Sequence, residues 1–148
     1  MYTPHVVTLI NVSQNDDESL FYNVTILDKV FLDLSKRTNI NKSGLTDADA
    51  ATLFIPFSTV GKDGAGREKQ YVSPKVYDGL EDKRGYWTLK DGGQSSAVEC
   101  YFVKGQIPAQ IESYEDLTRR YDYVYAVTSV DLRDFGSASM QHFQVGGK

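Results

Sequence analysis

The segment YVYAVTSV at residues 123–130 carries the clearest indication of the fold. Successive side chains of an extended strand point to opposite faces, so Tyr125 and Val127 would share one face and Val124 would lie on the other. Apolar side chains occur on both faces, a pattern typical of a strand that is covered on both sides. We therefore expect a central β-strand at 123–130.

Shorter stretches with a similar pattern occur on both sides of this strand. They lie at 6–12, 21–34, 53–57, 71–77, 86–90, 97–104 and 140–145. Residues typical of turns separate them, as turns separate strands. About eight short strands with frequent turns predict an all-β, mainly antiparallel fold, either a small β-barrel or a sandwich.

Three local features refine this prediction. Asp28 and Lys29 interrupt the alternation within 21–34 and indicate a bulge or a tight turn. Pro56 has no N–H for a ladder hydrogen bond, so it favours a strand end or an open edge of the sheet. The last stretch, 140–145, is expected to pair with the central strand.

Helical signals are few. Ser113 followed three residues later by Asp116 forms a capping-box pattern, which predicts one short helix at 114–121. Thr46 and Asp49 have the same spacing, but the segment that follows allows only a brief helical turn at 47–51.

The segment STVGKDGAGREKQ at 58–70 has three glycines among charged residues and almost nothing to bury. Such a segment gains too little from burial to offset the entropy of ordering. We therefore expect a long, mobile hairpin loop. The chain length of 148 residues suits one domain, so residues 1–148 are expected to form a single β-rich domain with 58–70 as a flexible insertion.

The composition argues against several classes of partner. The net charge is −4 and the isoelectric point is about 5.1, so no positive field favours a phosphate backbone, and sequence-specific nucleic acid is not expected as a partner. No stretch approaches 18 apolar residues and the N-terminus lacks an export signal, which predicts a cytoplasmic protein without a membrane span. Cys100, among apolar neighbours, is expected to be a buried, inert thiol.

No constellation typical of catalysis or metal binding is present. His5 and His142 lie at opposite ends of the chain, and one cysteine cannot complete a zinc site. Asp47 and Asp49 lack the glycine and glutamate of a calcium loop. No serine elbow or phosphate-binding loop occurs. We therefore predict no catalytic residue, cofactor or metal, and a protein that is not an enzyme.

Two sequence motifs have more than one interpretation. Asn11, Asn23 and Asn41 each begin an N-x-[ST] match, but without an export signal they imply no glycan. The segments RGYW at 84–87 and YFVKG at 101–105 faintly resemble the stacking motifs of an RNA-recognition domain, in reversed order. An RNA-binding domain therefore stays open as a minor alternative.

Three longer stretches resemble a family of small uncharacterised proteins encoded in phages and prophages of Gram-positive bacteria. They are NKSGLTDADAATLFIPF at 41–57, GYWTL at 85–89 and AVTSVDLRDFGSASMQHFQVGGK at 126–148. Their order is also loosely similar to that of minor capsid and head-tail joining (head completion) proteins.

The resemblance implies a structural component of a phage or prophage particle, either a head-tail connector of the head-completion or stopper type or a minor capsid subunit. Subunits of this kind form oligomeric rings that contact portal, connector or tail subunits, first in the host bacterial cytoplasm and then in the virion. It also implies a homo-oligomer in the particle, with the loop at 58–70 as an assembly interface, and leaves open a monomer in isolation. The charged and flexible residues of that interface would be Lys62, Asp63, Gly64, Arg67, Glu68 and Lys69.

One alternative belongs to a different functional class. A prophage-encoded accessory module that binds a host protein or a small molecule would suit the same composition. It would need a preformed pocket, whereas a particle subunit would need exposed surfaces that become ordered on assembly.

Overall fold

The computed structural model describes residues 2–34, 40–41, 44–45, 50–91, 95–108 and 110–148. The strands are β1 His5–Gln14, β2 Leu20–Asp33, β3 Ile40–Asn41, β4 Gly44–Leu45, β5 Ala51–Pro56, β6 Gly61–Lys62, β7 Glu68–Tyr71, β8 Tyr86–Trp87, β9 Glu99–Lys104, β10 Val124–Arg133 and β11 His142–Gly147. The helices are α1 Pro74–Asp78, α2 Tyr114–Arg120 and a 3₁₀-helix at Ala138–Met140. The brief turn predicted at 47–51 falls mostly outside the described residues.

Six strands close into a barrel. Their order is β1-β9-β10-β11-β5-β2, and a further pairing of β1 with β2 completes the ring. All six pairings are antiparallel. The predicted all-β, mainly antiparallel fold is confirmed, as are the central position of β10 and its pairing with β11.

Strand β2 bends where the alternation of the sequence is interrupted. His5 pairs with Val30 and Val7 pairs with Leu27, so Asp28 and Lys29 together face one residue of β1. This confirms the predicted bulge. On its other side, β2 pairs with β6 before the bulge and with β5 after it. The bend therefore places the small β6-β7-β8 extension beside the barrel.

Strand β5 does not lie at an open edge, so that prediction from Pro56 is wrong. β5 pairs with β2 on one side and with β11 on the other. Pro56 is the last residue of the strand, opposite His142. The alternative that a proline marks a strand end is the one the structure adopts, since a missing N–H is tolerated where the ladder stops.

The segment predicted as a strand at 71–77 divides into the end of β7 and helix α1. Ser73 caps α1 by accepting a hydrogen bond from the Val76 N–H at 3.5 Å, and Pro74 occupies the first turn. The structure thus adds a helix to the one expected. The predicted helix is α2, and its cap is confirmed because the Ser113 hydroxyl accepts from the Asp116 N–H at 3.0 Å.

The main core fills the interior of the barrel. Its buried side chains come from five of the six ring strands and from the segment that follows β8, while β10 adds partly buried side chains such as Tyr125 and Val127. The buried side chains include Val7, Leu9, Leu27, Val30, Leu53, Ile55, Leu89, Phe102 and Val145. A second cluster packs Leu117 of α2 against Ile10 and Val103 outside the barrel wall. Burial on this scale is the main source of stability, at roughly 1.5–3 kcal/mol for each large side chain.

Candidate functional site: an aromatic cleft at one end of the barrel

An open cleft of about 800 Å³ lies where β5 ends and β11 begins. Its walls come from separate parts of the chain: the segment after β5, strands β7 and β8, and facing positions of β10 and β11. The apolar lining residues are Pro56, Phe57, Val60, Tyr71, Trp87, Leu132 and Phe143. The polar lining residues are Ser58, Thr59, Glu68, Lys69 and Gln70. This mixture of an apolar floor and a few polar groups is typical of a binding cleft.

Aromatic rings form the floor of the cleft. Tyr71 packs against Trp87 with ring centroids 5.1 Å apart and against Phe143 at 4.8 Å. Phe57 meets Phe143 edge to face at 4.8 Å. Each such pair contributes about 0.5–1.5 kcal/mol beyond the area it buries. The floor is therefore a rigid part of the core that opens to solvent.

Exposed apolar side chains concentrate around this cleft. Nine large hydrophobic side chains are exposed among the described residues, and five belong to the cleft or to the adjoining connection between β10 and β11. These five are Phe57, Val60, Leu132, Phe135 and Met140. The Phe57 N–H donates to the Gln141 carbonyl at 3.1 Å, which keeps the connection next to the cleft.

The predicted loop at 58–70 is a hairpin, but its turn is shorter than expected. Strands β6 and β7 pair directly, and the Asp63 carboxylate accepts hydrogen bonds from the Ala65 and Arg67 N–H groups, each at 2.9 Å. These bonds lower the pKa of Asp63, the one from Arg67 most strongly. Gly66 has a φ of 84°, a left-handed conformation that suits glycine. The mobility of this turn stays a prediction.

The six predicted interface residues lie on one hairpin but differ in their exposure and their partners. Asp63 and Arg67 pair with each other within the turn at 2.8 Å, and Lys62 lies 3.7 Å from Asp28. Gly64 is exposed, and Glu68 lines the cleft. Lys69 is only 4% exposed, although it also lines the cleft, and the interface role of these six residues stays a prediction.

Lys69 is held inside by a polar network. Its ammonium group donates to the Asn23 side-chain oxygen at 2.7 Å and to the Val24 carbonyl at 2.9 Å. The Asn23 amide nitrogen lies 3.0 Å from the Tyr77 hydroxyl and 2.8 Å from the Tyr86 carbonyl. Burial lowers the pKa of Lys69 to about 8. The network attaches the β6–β7 hairpin and α1 to the barrel.

Asn11 has a similar structural role. Its amide nitrogen donates to the Thr88 carbonyl at 2.9 Å, and its oxygen accepts from the Thr88 N–H at 3.1 Å. The side chain thus pairs with the backbone as a neighbouring strand would. Asn11 and Asn23 are 0% and 3% exposed, so both side chains are enclosed in the folded protein. Asn41 lies outside the residues whose side chains are described.

The two histidines do not meet. A row of rings runs from His5 through Phe31 and Phe54 to His142, with centroids 5.4, 5.8 and 5.7 Å apart. His5 accepts a hydrogen bond from the Leu32 N–H at 2.9 Å. No group of three or more His, Cys, Asp or Glu side chains among the described residues is placed to hold a metal ion.

Cys100 is buried, as predicted, and burial raises the pKa of its thiol to about 11. A thiol with so high a pKa is almost entirely protonated at neutral pH and is therefore a poor nucleophile.

The described residues include no helix with the length and hydropathy that a membrane span requires.

Each of the two motifs behind the RNA-binding alternative has one buried aromatic ring. Trp87 is 2% exposed and Phe102 is 0% exposed, so neither offers a free ring face to a base. Tyr101 stacks on Tyr114 at 4.5 Å. These contacts account for the aromatic residues as core and surface packing within the domain.

Sequence reasoning missed the cleft because its residues come from distant segments, each of which resembles an ordinary strand. Fold and site together define a closed antiparallel β-barrel with an aromatic cleft and an exposed apolar connection at one end. The chain belongs to a family of unknown function, DUF6751, whose profile matches residues 2–148. Comparisons with curated proteins and with solved structures each found no match.

Proposed function

We propose that this protein is a structural component of a phage or prophage particle, a head-tail connector of the head-completion or stopper type or a minor capsid subunit, which acts through protein–protein contacts. The observation that carries the proposal is the concentration of exposed apolar side chains around the cleft, among them Leu132 at 60% and Phe135 at 68% exposure. Exposed apolar patches on soluble domains mark contact surfaces.

The physical reason is the free energy of the exposed surface. Removing apolar surface from water contributes about 25 cal/mol per Å², so several large side chains at one end of the barrel favour association there. The closed ring of strands supplies a rigid support for that end. A rigid scaffold with an exposed apolar end suits a subunit that binds other subunits.

The sequence resemblance is the reason why this proposal places the protein in a phage or prophage particle. The segment at 126–148, which resembles phage and prophage proteins, contains Leu132, Phe135 and Met140 of the exposed connection. In this proposal the partners are portal, connector or tail subunits and further copies of the chain. Assembly takes place in the host bacterial cytoplasm, and the subunit then stays in the virion.

A point variant tests the proposal more sharply than a deletion does. Leu132→Asp should abolish infectious particles when it replaces the wild-type gene in the phage or induced prophage, because it places a charge in the contact surface. Leu20→Asp is the matched control, since Leu20 is 55% exposed but does not line the cleft. Particles are counted by plaque assay and their morphology is read by electron microscopy.

Unjoined tails with unsealed or empty heads would support a connector, whereas defective heads alone would support a minor capsid subunit. Wild-type particle yield after a clean gene deletion would contradict the structural role.

That contrary result would favour the second candidate, an accessory module that binds a host protein or a small molecule. The observation in its favour is the cleft itself, whose volume of about 800 Å³ falls in the range of ligand pockets, roughly 300–1,000 Å³. Purification of the tagged protein from infected cells, followed by mass spectrometry, would then identify a host protein rather than virion proteins.

A further inference from the structure

The connection between β10 and β11 lies next to the cleft, and Phe135 of this connection does not line it. Leu132 lines the cleft, and Phe135 follows three residues later. At about 3.3 Å per residue, Phe135 lies within roughly 10 Å of the cleft rim. It is nevertheless 68% exposed, and Met140 at the other end of the connection is 52% exposed. One end of the barrel therefore carries a projecting apolar tip and an open cleft side by side.

The cleft has room for such a tip. A cavity of about 150 Å³ already accepts a benzene molecule, and the cleft measures about 800 Å³. Tyr71 is the half-buried ring of its floor, in contact with the buried rings of Trp87 and Phe143, and the exposed side chains of Phe57, Val60 and Leu132 line the cleft as well. A phenylalanine side chain thus suits the cleft in both size and chemistry.

We propose that the occupant of the cleft is Phe135 of a second copy of this chain, in a two-fold dimer where each copy places its tip in the cleft of the other. A ring built from one repeated contact needs the tip and the cleft on different sides of the subunit. Here they are neighbours, so a two-fold axis between the copies lets both contacts form at once. This dimer rests on the proposed role in assembly and names one of its contacts.

Charge is consistent with this arrangement. Glu68 at the cleft and Arg133 beside the tip form no ion pair with any described residue. In the exchanged dimer each Arg133 approaches the partner's side that carries Glu68. Asp131 and Asp134 make the tip mixed in charge, so the ion pair orients the contact while the apolar side chains provide most of its affinity.

Sedimentation of the purified full-length protein over a range of concentrations tests the proposal. The wild-type protein should form dimers. Phe135→Asp should weaken dimerisation by at least about a hundredfold, because both symmetric contacts lose an apolar side chain worth about tenfold each. Tyr2→Asp is the matched control, since Tyr2 is 76% exposed and outside the cleft, and it should leave the dimer intact.

Mixing two variants distinguishes the contribution of the Phe135 tip from that of the cleft. Val60→Asp, in the cleft lining, should also be monomeric, while an equal mixture with Phe135→Asp should form a heterodimer through the one intact contact. Circular dichroism checks that both variants are folded. A wild-type protein that stays monomeric, a dimer that survives Phe135→Asp, or a wild-type ring larger than a dimer would each overturn the proposal. None of these outcomes bears on whether a gene deletion abolishes particles, so failure of the dimer and failure of the particle role can be told apart.

Discussion

Lys69 keeps its ammonium group inside the protein, where it makes no ion pair with the residues that the structure describes. Its hydrogen bonds go to neutral oxygens of Asn23 and Val24. Uncharged acceptors compensate an ammonium ion less well than a carboxylate does, so burial disfavours the charged form. The hairpin is therefore attached to the barrel through a group that is easy to deprotonate.

This gives a prediction for stability against pH. The pKa of Lys69 is about 8 in the folded protein and 10.5 for an ordinary lysine, so the unfolded chain binds more protons between these values. The free energy of unfolding should therefore rise as the pH increases from about 8 towards 10.5. Chemical denaturation at several pH values measures the rise. Lys69→Met should remove this contribution, whereas Lys62→Met should keep it. Equal slopes for wild type and Lys69→Met would contradict the prediction.

Asn11 is the second residue whose side chain carries a structural contact. Asn11→Ala leaves the buried Thr88 N–H without this partner and leaves the Thr88 carbonyl with only the Cys100 thiol, at 3.8 Å. We expect a loss of about 1–3 kcal/mol in the free energy of unfolding, which is the cost of one unpaired buried group. Asn15→Ala is the control, because Asn15 is exposed and pairs only with surface groups, and it should cost less than about 0.5 kcal/mol. A comparable loss in both variants would contradict the assigned role.

Among the elements, strand β11 joins β10 to β5 in the ring. It pairs with β10 over its whole length and with β5 on the other side, so both neighbours depend on it. Removal of residues 140–148 opens the ring and exposes the ladders of both strands. We expect the truncated protein to lose cooperative thermal unfolding and to aggregate. Removal of Lys148 alone, which costs two backbone bonds to Ala126, should leave a folded protein. A soluble, cooperative 1–139 fragment would refute this dependence.

On the scale of the whole molecule, local signals predicted the strands better than their arrangement. β10, the bulge at Asp28 and Lys29, and the cap of α2 each depend on neighbours in the sequence. The closure of the barrel depends on pairs such as Leu9 with Phe102, which no periodicity reveals. Helix α1 was not predicted because the pattern at 71–77 indicated a strand, although Ser73 and Pro74 form the start of a helix.

The same difference between local signals and contacts of distant residues explains which parts of the candidate site could be predicted. Charged neighbours suggested that Lys69 is exposed, yet Asn23, 46 residues away in the chain, accepts its hydrogen bond in the interior. The cleft likewise forms only because the fold brings together segments that are far apart in the chain, from the end of β5 to β11. Sequence reasoning could therefore anticipate a hairpin at 58–70, but not which of its side chains face the solvent.

The chain contains one tryptophan, Trp87, and that residue lies on the floor of the cleft. Its indole N–H has no hydrogen-bond partner within the described protein. All of the indole emission therefore comes from one place, beside the position where a bound side chain would sit. Ultraviolet fluorescence of the unlabelled protein should start blue-shifted, and its intensity should change when the cleft is filled. The emission of Trp87 can therefore report, without any label, when the cleft becomes filled and how fast.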